Sequence, residues 1–129
     1  MEQKTHLLAK RDFVGQVLEI ETDFFARASL VTRDEMAVDE YGLIHGGFAF
    51  GLADYTAMLA VNHPNVVLVS AEAKFLKPVR VGDILIAIGQ VTEKQENDRM
   101  VHVQILVGDH VVFEGNFHCR ILPKHPLAP

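Results

Sequence analysis

The sequence predicts an α+β domain in which a curled antiparallel sheet wraps around one long central helix. Six stretches are rich in β-branched and aromatic residues or alternate apolar with polar residues, which is typical of strands. One stretch, residues 46–62, is apolar on nearly every side and predicts a helix that must be buried on nearly every side. An antiparallel sheet must also have one face covered, so a sheet curled around this helix satisfies both requirements.

The first half of the chain contains two predicted strands and the helix. Residues 13–22 and 24–32 favour strands, and the single residue between them predicts a hairpin. Residues 33–44 are polar and then turn-like, which indicates a loop with a short helical turn. The helix over 46–62 ends before Pro64, because a proline stops a helix at or before the preceding residue.

The second half of the chain predicts four strands, at residues 66–76, 84–92, 99–107 and 110–121. Gly108-Asp109 lies between the last two strands and predicts a tight hairpin. Residues 94–98 are polar and predict a connection between two strands. In the last strand, alternation places Val111 on the same face as Phe113 and Phe117.

Composition and charge restrict the class of protein. The 129 residues fit a single domain, residues 1–129, with a core at about 13–121 and irregular termini. A content of 49% apolar and 22% charged residues is typical of a soluble globular protein. A net charge of -5 does not favour nucleic acid as a partner. The single cysteine, Cys119, provides neither a disulfide framework nor a zinc-ligand set.

Membrane insertion and export are not expected from the sequence. The first residues contain no apolar core of signal-peptide length. The longest apolar run is interrupted by Asp54 and is shorter than the roughly 20 residues that a membrane span needs. We therefore expect a cytoplasmic protein without a membrane partner.

Residues 42–54, GLIHGGFAFGLAD, combine a glycine turn at the helix start with a carboxylate near its middle. Helix N-termini carry unpaired N–H groups and a partial positive charge, and glycine lets a ligand approach the backbone closely. A carboxylate in an apolar helix is costly unless it is paired, hydrogen-bonded or functional. The glycines can instead serve only a sharp turn, and Asp54 can instead hold two helices in register across a dimer interface.

His45-Gly46-Gly47 followed by Leu52-Ala53-Asp54 resembles the motif of the hotdog-fold acyl-CoA thioesterases. The resemblance is closest to the phenylacetate-pathway type and to related small 4-hydroxybenzoyl-CoA-thioesterase-like enzymes. Their pattern is HGG, an apolar stretch and then Leu-Ala-Asp or Leu-Ala-Glu, with nine residues from the histidine to the acid, as from His45 to Asp54. KFLKPVRVGD at 74–83 also resembles a strand-turn-strand of that family.

The resemblance implies hydrolysis of an acyl thioester by a homodimer that often pairs into a tetramer. Coenzyme A is then part of the substrate rather than a cofactor, and acyl carrier protein is the alternative carrier. The sites lie at the subunit interface, where the acid of one chain faces the HGG turn of the other. The resemblance assigns the carbonyl-polarising N–H to Gly46, with Gly47 as support, and gives His45 a role in orienting the carbonyl or shaping the turn. Asp54 then activates water or attacks the thioester carbon itself.

Two positions depart from the family pattern. Many relatives have an asparagine six residues before the HGG histidine, where this chain has Asp39, which is a second carboxylate at the site or a solvated loop residue. Relatives often carry a hydroxyl residue on the first strand after the helix, at the position of Leu68. Ser70 lies two residues further and is expected on the same face, where it can substitute.

Other candidate residues concern the substrate. Lys74, Lys77 and Arg80 lie where the family binds the nucleotide end, and are either phosphate contacts or ordinary surface charges of a turn. Phe48 lines an acyl pocket or belongs to the core. The other histidines have no metal-ligand spacing, so we expect no metal.

Three alternatives to a thioesterase remain at the level of sequence. The first is a non-catalytic hotdog protein that senses acyl-CoA, against which Asp54 argues. The second is a hydratase or dehydratase of the same fold, whose histidine loop has a different pattern. The third is a purely structural dimer, which explains the apolar helix but not the glycine turn.

Overall fold

The computed structural model describes all 129 residues, which form six strands, one α-helix and one 3-10 turn at Asp34–Met36. Their order confirms the predicted order of strands and helix. The chain has no helix with both the length and the apolar character needed to span a bilayer. The elements are β1 (Gln16–Glu21), β2 (Phe25–Val31), α1 (Gly46–Val61), β3 (Val66–Phe75), β4 (Ile84–Gln95), β5 (Asp98–Val107) and β6 (His110–Ile121).

The six strands form a single antiparallel sheet in the order β1-β2-β4-β5-β6-β3, so β1 and β3 are its edges. The helix contacts every strand of this sheet. Phe113 and Phe117 of β6 are fully buried, as are Leu52 and Leu59 of α1. The sheet therefore curls around the helix, and the predicted fold class is confirmed.

The predicted polar connection at 94–98 was wrong over most of its length. Strand β4 continues to Gln95 and β5 begins at Asp98, so only two residues form the turn. Asp23 accounts for part of this extension, because its carboxylate binds Lys94 at 3.2 Å and Arg99 at 2.7 Å. Cross-strand hydrogen bonds and ion pairs thus outweigh the low strand propensity of these polar residues.

A β-bulge also changes the predicted face of Val111. The pairing of β5 with β6 shifts between Ile105 and Leu106. Phe113 pairs with Ile105 and both are fully buried against the helix, whereas Val111 pairs with Leu106 and both are only partly buried. The expectation that Val111 shares the face of Phe113 was therefore wrong, since the bulge adds one residue to the alternation.

One side of the helix is left without cover by its own chain. Every residue of α1 from Tyr55 onward is buried, whereas the stretch from Gly46 to Asp54 contains six residues that are exposed or half-buried. Edge strand β3 runs beside it with Val69 45% and Phe75 58% exposed. We call the helix stretch Gly46–Asp54 together with β3 the open face.

Candidate active site

The side chain of His45 caps the first turn of α1. His45 is the N-cap residue, with φ -58° and ψ 130°, and its Nδ1 accepts a hydrogen bond of 2.7 Å from the Gly47 N–H. A ring nitrogen that accepts carries no proton, so the neutral imidazole bears its proton on Nε2. A Cβ atom on Gly47 would lie 2.7 Å from this Nδ1. Gly47 is therefore glycine because the cap leaves no room for a side chain, and its N–H is already used.

The N–H of Gly46 has no hydrogen-bond partner within the chain. It is the first N–H of α1, where the helix dipole concentrates partial positive charge. Gly46 is exposed, and a Cβ atom added to it would lie 3.2 Å from the ring of Phe75. The backbone at this position can thus donate to an oxygen brought to it by a ligand.

A cavity of about 330 Å³ opens beside this N–H group. Most of its walls come from residues 43–49 around the HGG turn and from residues 75–79 at the end of β3 and in the turn after it, and Val112 of β6 completes them. The walls are mostly apolar, and Lys77 is their one permanently charged residue. The lining residues are Leu43, Ile44, His45, Gly46, Ala49, Phe75, Leu76, Lys77, Pro78, Val79 and Val112.

The carboxylate of Asp54 is half-buried on the open face and has no hydrogen-bond or ion-pair partner within the chain. Burial raises the pKa of Asp54, and the nearby charge of His6 partly opposes that rise. Burial and the charge of Asp54 also raise the pKa of the Cys119 thiol to about 12, so that thiol stays neutral. A desolvated carboxylate without a partner is costly to keep, and such groups are enriched at functional sites.

Gly46 and Asp54 of one chain cannot both touch the same carbonyl group. Eight residues of helix separate them, which is roughly 12 Å along the axis at about 1.5 Å per residue. The cavity at Gly46 also does not include Asp54 among its lining residues. The N–H donor and the carboxylate therefore lie at two separate places on the open face.

Asp39 and Arg80 lie in loops and do not line the cavity. Asp39 is exposed, and its Oδ1 accepts hydrogen bonds from the N–H groups of Tyr41 at 3.0 Å and Leu43 at 3.2 Å. It thereby closes the turn that leads into the HGG segment. The exposed Arg80 donates its backbone N–H to the carboxylate of Asp83 at 3.0 Å.

The expectation that Ser70 shares the face of Leu68 was wrong. A β-bulge interrupts β3 between them, so Leu68 pairs with the buried Cys119 whereas Ser70 pairs with His118 on the outer face of the sheet. Lys74 lies further along that outer face. Neither Ser70 nor Lys74 reaches the helix side, because the bulge adds one residue to the alternation.

Phe48 packs edge-on against the ring of His45, with 6.3 Å between centroids, and is half-buried against the core. It does not line the cavity. Sequence reasoning missed Phe75 and Val112, which do line it, because both have the pattern of ordinary strand residues. It also missed His6, since no local signal connects that residue with Asp54. No three of the His, Cys, Asp and Glu side chains come together as a metal site.

Comparison with protein families and solved structures gives three kinds of similarity. A model described as the thioesterase superfamily matches residues 41–114, more than half of the chain. An uncharacterized protein from Pyrococcus horikoshii is 50% identical, with a TM-score of 0.97 over 99% of this chain and 98% of that chain. The Escherichia coli PaaI protein from the phenylacetic acid degradation operon is 21% identical, with a TM-score of 0.79 over 88% of this chain and 83% of that chain, which shows a shared fold.

Two curated relatives are considerably longer than this chain. A methylthioribose-1-phosphate isomerase of Aquifex aeolicus is 44% identical over 117 residues, which are 91% of this chain and 25% of that protein. The transcription factor FapR of Bacillus subtilis is 25% identical over 119 residues, covering 91% of this chain and 63% of that protein. The chain thus spans about a quarter of the first relative and under two thirds of the second.

The cap at His45 predicts a specific pattern of stability. His45→Ala removes the acceptor for Gly47 and should lower the free energy of unfolding by about 0.5–2 kcal/mol. His45→Asn should retain most of that stability, because asparagine is a strong N-cap. Chemical denaturation of the three proteins measures the difference. Equal stability of His45→Ala and the unsubstituted protein would show that the cap contributes nothing.

The unpartnered carboxylate predicts that Asp54→Asn is more stable than the unsubstituted protein at pH 7. Burial raises the pKa of Asp54 in the folded state above its value in the unfolded state. Protonated Asp54 therefore stabilises the fold fully at a pH below the unfolded pKa, and this stabilisation is lost as the pH rises through the folded pKa. The asparagine avoids that loss. The gain in Tm at pH 7 should therefore vanish at about pH 3, below the ordinary aspartate pKa.

Thermal unfolding over this pH range provides the measurement. Asp109→Asn, on the exposed β5–β6 turn, controls for the change in net charge. A loss of stability at pH 7 in Asp54→Asn would contradict the account, since it would mean that the carboxylate has a stabilising partner.

Proposed function

The chain belongs to the thioesterase superfamily, and on that premise we propose that it hydrolyses acyl-CoA thioesters. One observation carries the proposal: a single helix presents an unpartnered N–H at Gly46, beside an apolar cavity, and an unpartnered carboxylate at Asp54. Thioester hydrolysis needs a donor for the negative charge that grows on the carbonyl oxygen. It also needs a group that brings water to the carbonyl carbon.

In the proposed reaction, the thioester carbonyl oxygen accepts a hydrogen bond from the Gly46 N–H at the positive end of the helix. Water attacks the carbonyl carbon, Asp54 takes a proton from that water, and the C–S bond breaks. The thiolate that leaves is then protonated, which gives the free acid and the thiol. Direct attack by the Asp54 carboxylate, with hydrolysis of the resulting anhydride, is the second route. The raised pKa of Asp54 suits the general-base route, because a stronger base accepts the proton more readily.

We place the complete site between two chains, with Gly46 from one and Asp54 from the other. Three features support this arrangement: the roughly 12 Å that separate the two groups within one helix, the uncovered helix stretch, and the unpaired edge of β3. Gly51 adds to them, since a Cβ atom built there meets nothing within 4 Å and a second surface can approach closely. Pairing of dimers into a tetramer is the expected further assembly.

Lys77 supports coenzyme A as the thiol part of the substrate. It lies on the rim of the cavity, 3.3 Å from Nδ1 of His110, and both side chains are exposed. A lysine ammonium at the mouth of an apolar cavity can bind a phosphate while the apolar walls hold the pantetheine arm or the acyl group.

Binding without hydrolysis is the second candidate function. The observation that favours it is the similarity to FapR, which is a transcription factor. In that case the chain would bind acyl-CoA at the same cavity and change its assembly. The unpartnered Asp54 favours hydrolysis over this alternative, because a binding module gains nothing from a desolvated carboxylate.

Activity of Asp54→Asn tests the proposed function. The unsubstituted protein should hydrolyse at least one member of a panel of acyl-CoA thioesters, followed by the release of free thiol. Asp54→Asn keeps the shape of the side chain without the base, so its kcat/KM should fall by about 10²–10⁴. Asp109→Asn should match the unsubstituted protein. Equal rates for Asp54→Asn would exclude Asp54 as the base, and saturable binding without turnover on any substrate would favour the binding function.

A pair of substitutions at Gly46 tests the N–H donor. Proline is accepted at the first helical position, and His45 already has the extended conformation that a following proline requires. Gly46→Pro and Gly46→Ala both add a Cβ atom near Phe75, but only the proline removes the N–H. We expect kcat of Gly46→Pro to be about 10²–10³ lower than that of Gly46→Ala. Equal kcat values for the two variants would contradict a role for this N–H.

A further inference from the structure

The segment Glu2–Ala9 has no regular secondary structure, yet side-chain hydrogen bonds hold its first residues against α1. Asn62, the C-cap residue of α1, is buried and in the left-handed conformation, with φ 54°. Its Oδ1 accepts from the Lys4 N–H at 2.8 Å, and its Nδ2 donates to the carbonyl of Glu2 at 2.8 Å. Gln3 donates to the hydroxyl of Tyr55 at 3.1 Å. We call this anchored segment the strap.

The strap brings His6 to the turn of the helix that carries Asp54. His6 has φ 55°, a left-handed conformation that is uncommon for residues other than glycine, and it directly follows the anchored stretch of the strap. Its ring lies against that of Tyr55, the residue after Asp54, with 6.2 Å between centroids. The hydroxyl of Thr5 lies 2.8 Å from Nδ1. This arrangement fixes the ring and leaves Nε2 without a partner in the chain.

The charges of His6 and Asp54 act on each other. Burial lowers the pKa of His6, and the carboxylate of Asp54 opposes that fall. In the other direction, the imidazolium of His6 opposes the burial that raises the pKa of Asp54. Cys119 on β6 also faces Asp54, and Tyr55 is its neighbour on α1, but burial raises the pKa of both and keeps them neutral at pH 7. Because burial lowers the pKa of His6 from its ordinary value, His6 is the group beside this carboxylate that changes charge on the acid side of neutrality.

We propose that His6 is a positioning residue for Asp54, held in place by the strap, and that its charge controls the reactivity of that carboxylate. The inference rests on the proposed function, since it assigns a controlling group to the proposed base. His6 acts through Asp54 and does not touch the thioester. His6 and Asp54 are 48 positions apart in the sequence. The strap brings them together because Asn62 binds it to the end of α1.

Titration of the His6 ring tests the coupling without any need for turnover. The ring signal of His6 is followed by NMR against pH in the unsubstituted protein and in Asp54→Asn. The His6 pKa should be lower in Asp54→Asn, because the carboxylate that favours the imidazolium is gone. His125 is exposed and lines the same surface pocket as His6, which makes it the matched histidine for the substitution control that follows. An unchanged His6 pKa would overturn the proposal, even for a protein that hydrolyses no thioester.

The pH profile of kcat/KM tests the effect on the reaction. His6→Asn keeps a residue that tolerates the left-handed conformation and removes the imidazole. The acid limb of the kcat/KM profile of His6→Asn should move to higher pH, because the positive charge that lowers the pKa of Asp54 is lost. Asn62→Gly keeps the left-handed helix end but releases the strap, and should move the limb in the same direction. His125→Ala should leave it in place.

An acid limb of His6→Asn that coincides with that of the unsubstituted protein would overturn the proposal. A lower kcat with an unmoved limb would do the same, since it would indicate a purely structural role. The proposed function has a separate test, since full activity of Asp54→Asn would contradict it. In that case the NMR titration of His6 would still decide whether the charges of His6 and Asp54 are coupled.

Discussion

The rest of the structure depends on one constraint: the central helix must be buried along its second half and open along its first. The sheet curls so that every residue of α1 from Tyr55 onward is covered, which gives the core its hydrophobic stabilisation. The first half faces outward beside the unpaired edge of β3, where the N–H of Gly46 and the carboxylate of Asp54 remain without partners. A fully wrapped helix would leave neither group open to a ligand.

Several residues of the open face lower the stability of the folded protein. Glycine at three of the first six helical positions costs helix propensity, at up to about 1 kcal/mol each in a helix interior. Asp54 adds the cost of a desolvated carboxylate. The His45 cap offsets part of this cost, although it needs glycine at position 47 to fit. The carboxylate and the unpartnered Gly46 N–H both cost stability, and both have a role in the thioester hydrolysis that we propose, which accounts for their presence at the open face.

Much of the fold could be predicted because the strongest signals are local. The apolar helix, its end before Pro64 and the alternating strands all follow from periodicity, and the motif from His45 to Asp54 correctly indicated the hotdog fold of the thioesterase superfamily. The errors come from long-range effects. A bulge in β3 moved Ser70 to the outer face, and Asp23 extended the β4–β5 pair through ion pairs. His6 lies beside the turn that carries Asp54 because hydrogen bonds to Asn62 and Tyr55 anchor the strap, and sequence spacing gives no signal for them.

The central claim, that Gly46 of one chain and Asp54 of another share each site, is tested most directly by mixing two inactive variants. Chains with Gly46→Pro and chains with Asp54→Asn carry different affinity tags, are refolded together, and the mixed dimer is purified through both tags. One of its two sites then has both working groups and the other has neither. We predict that the mixed dimer regains about half the unsubstituted activity while each parent remains inactive. A mixed dimer as inactive as its parents would contradict the shared site.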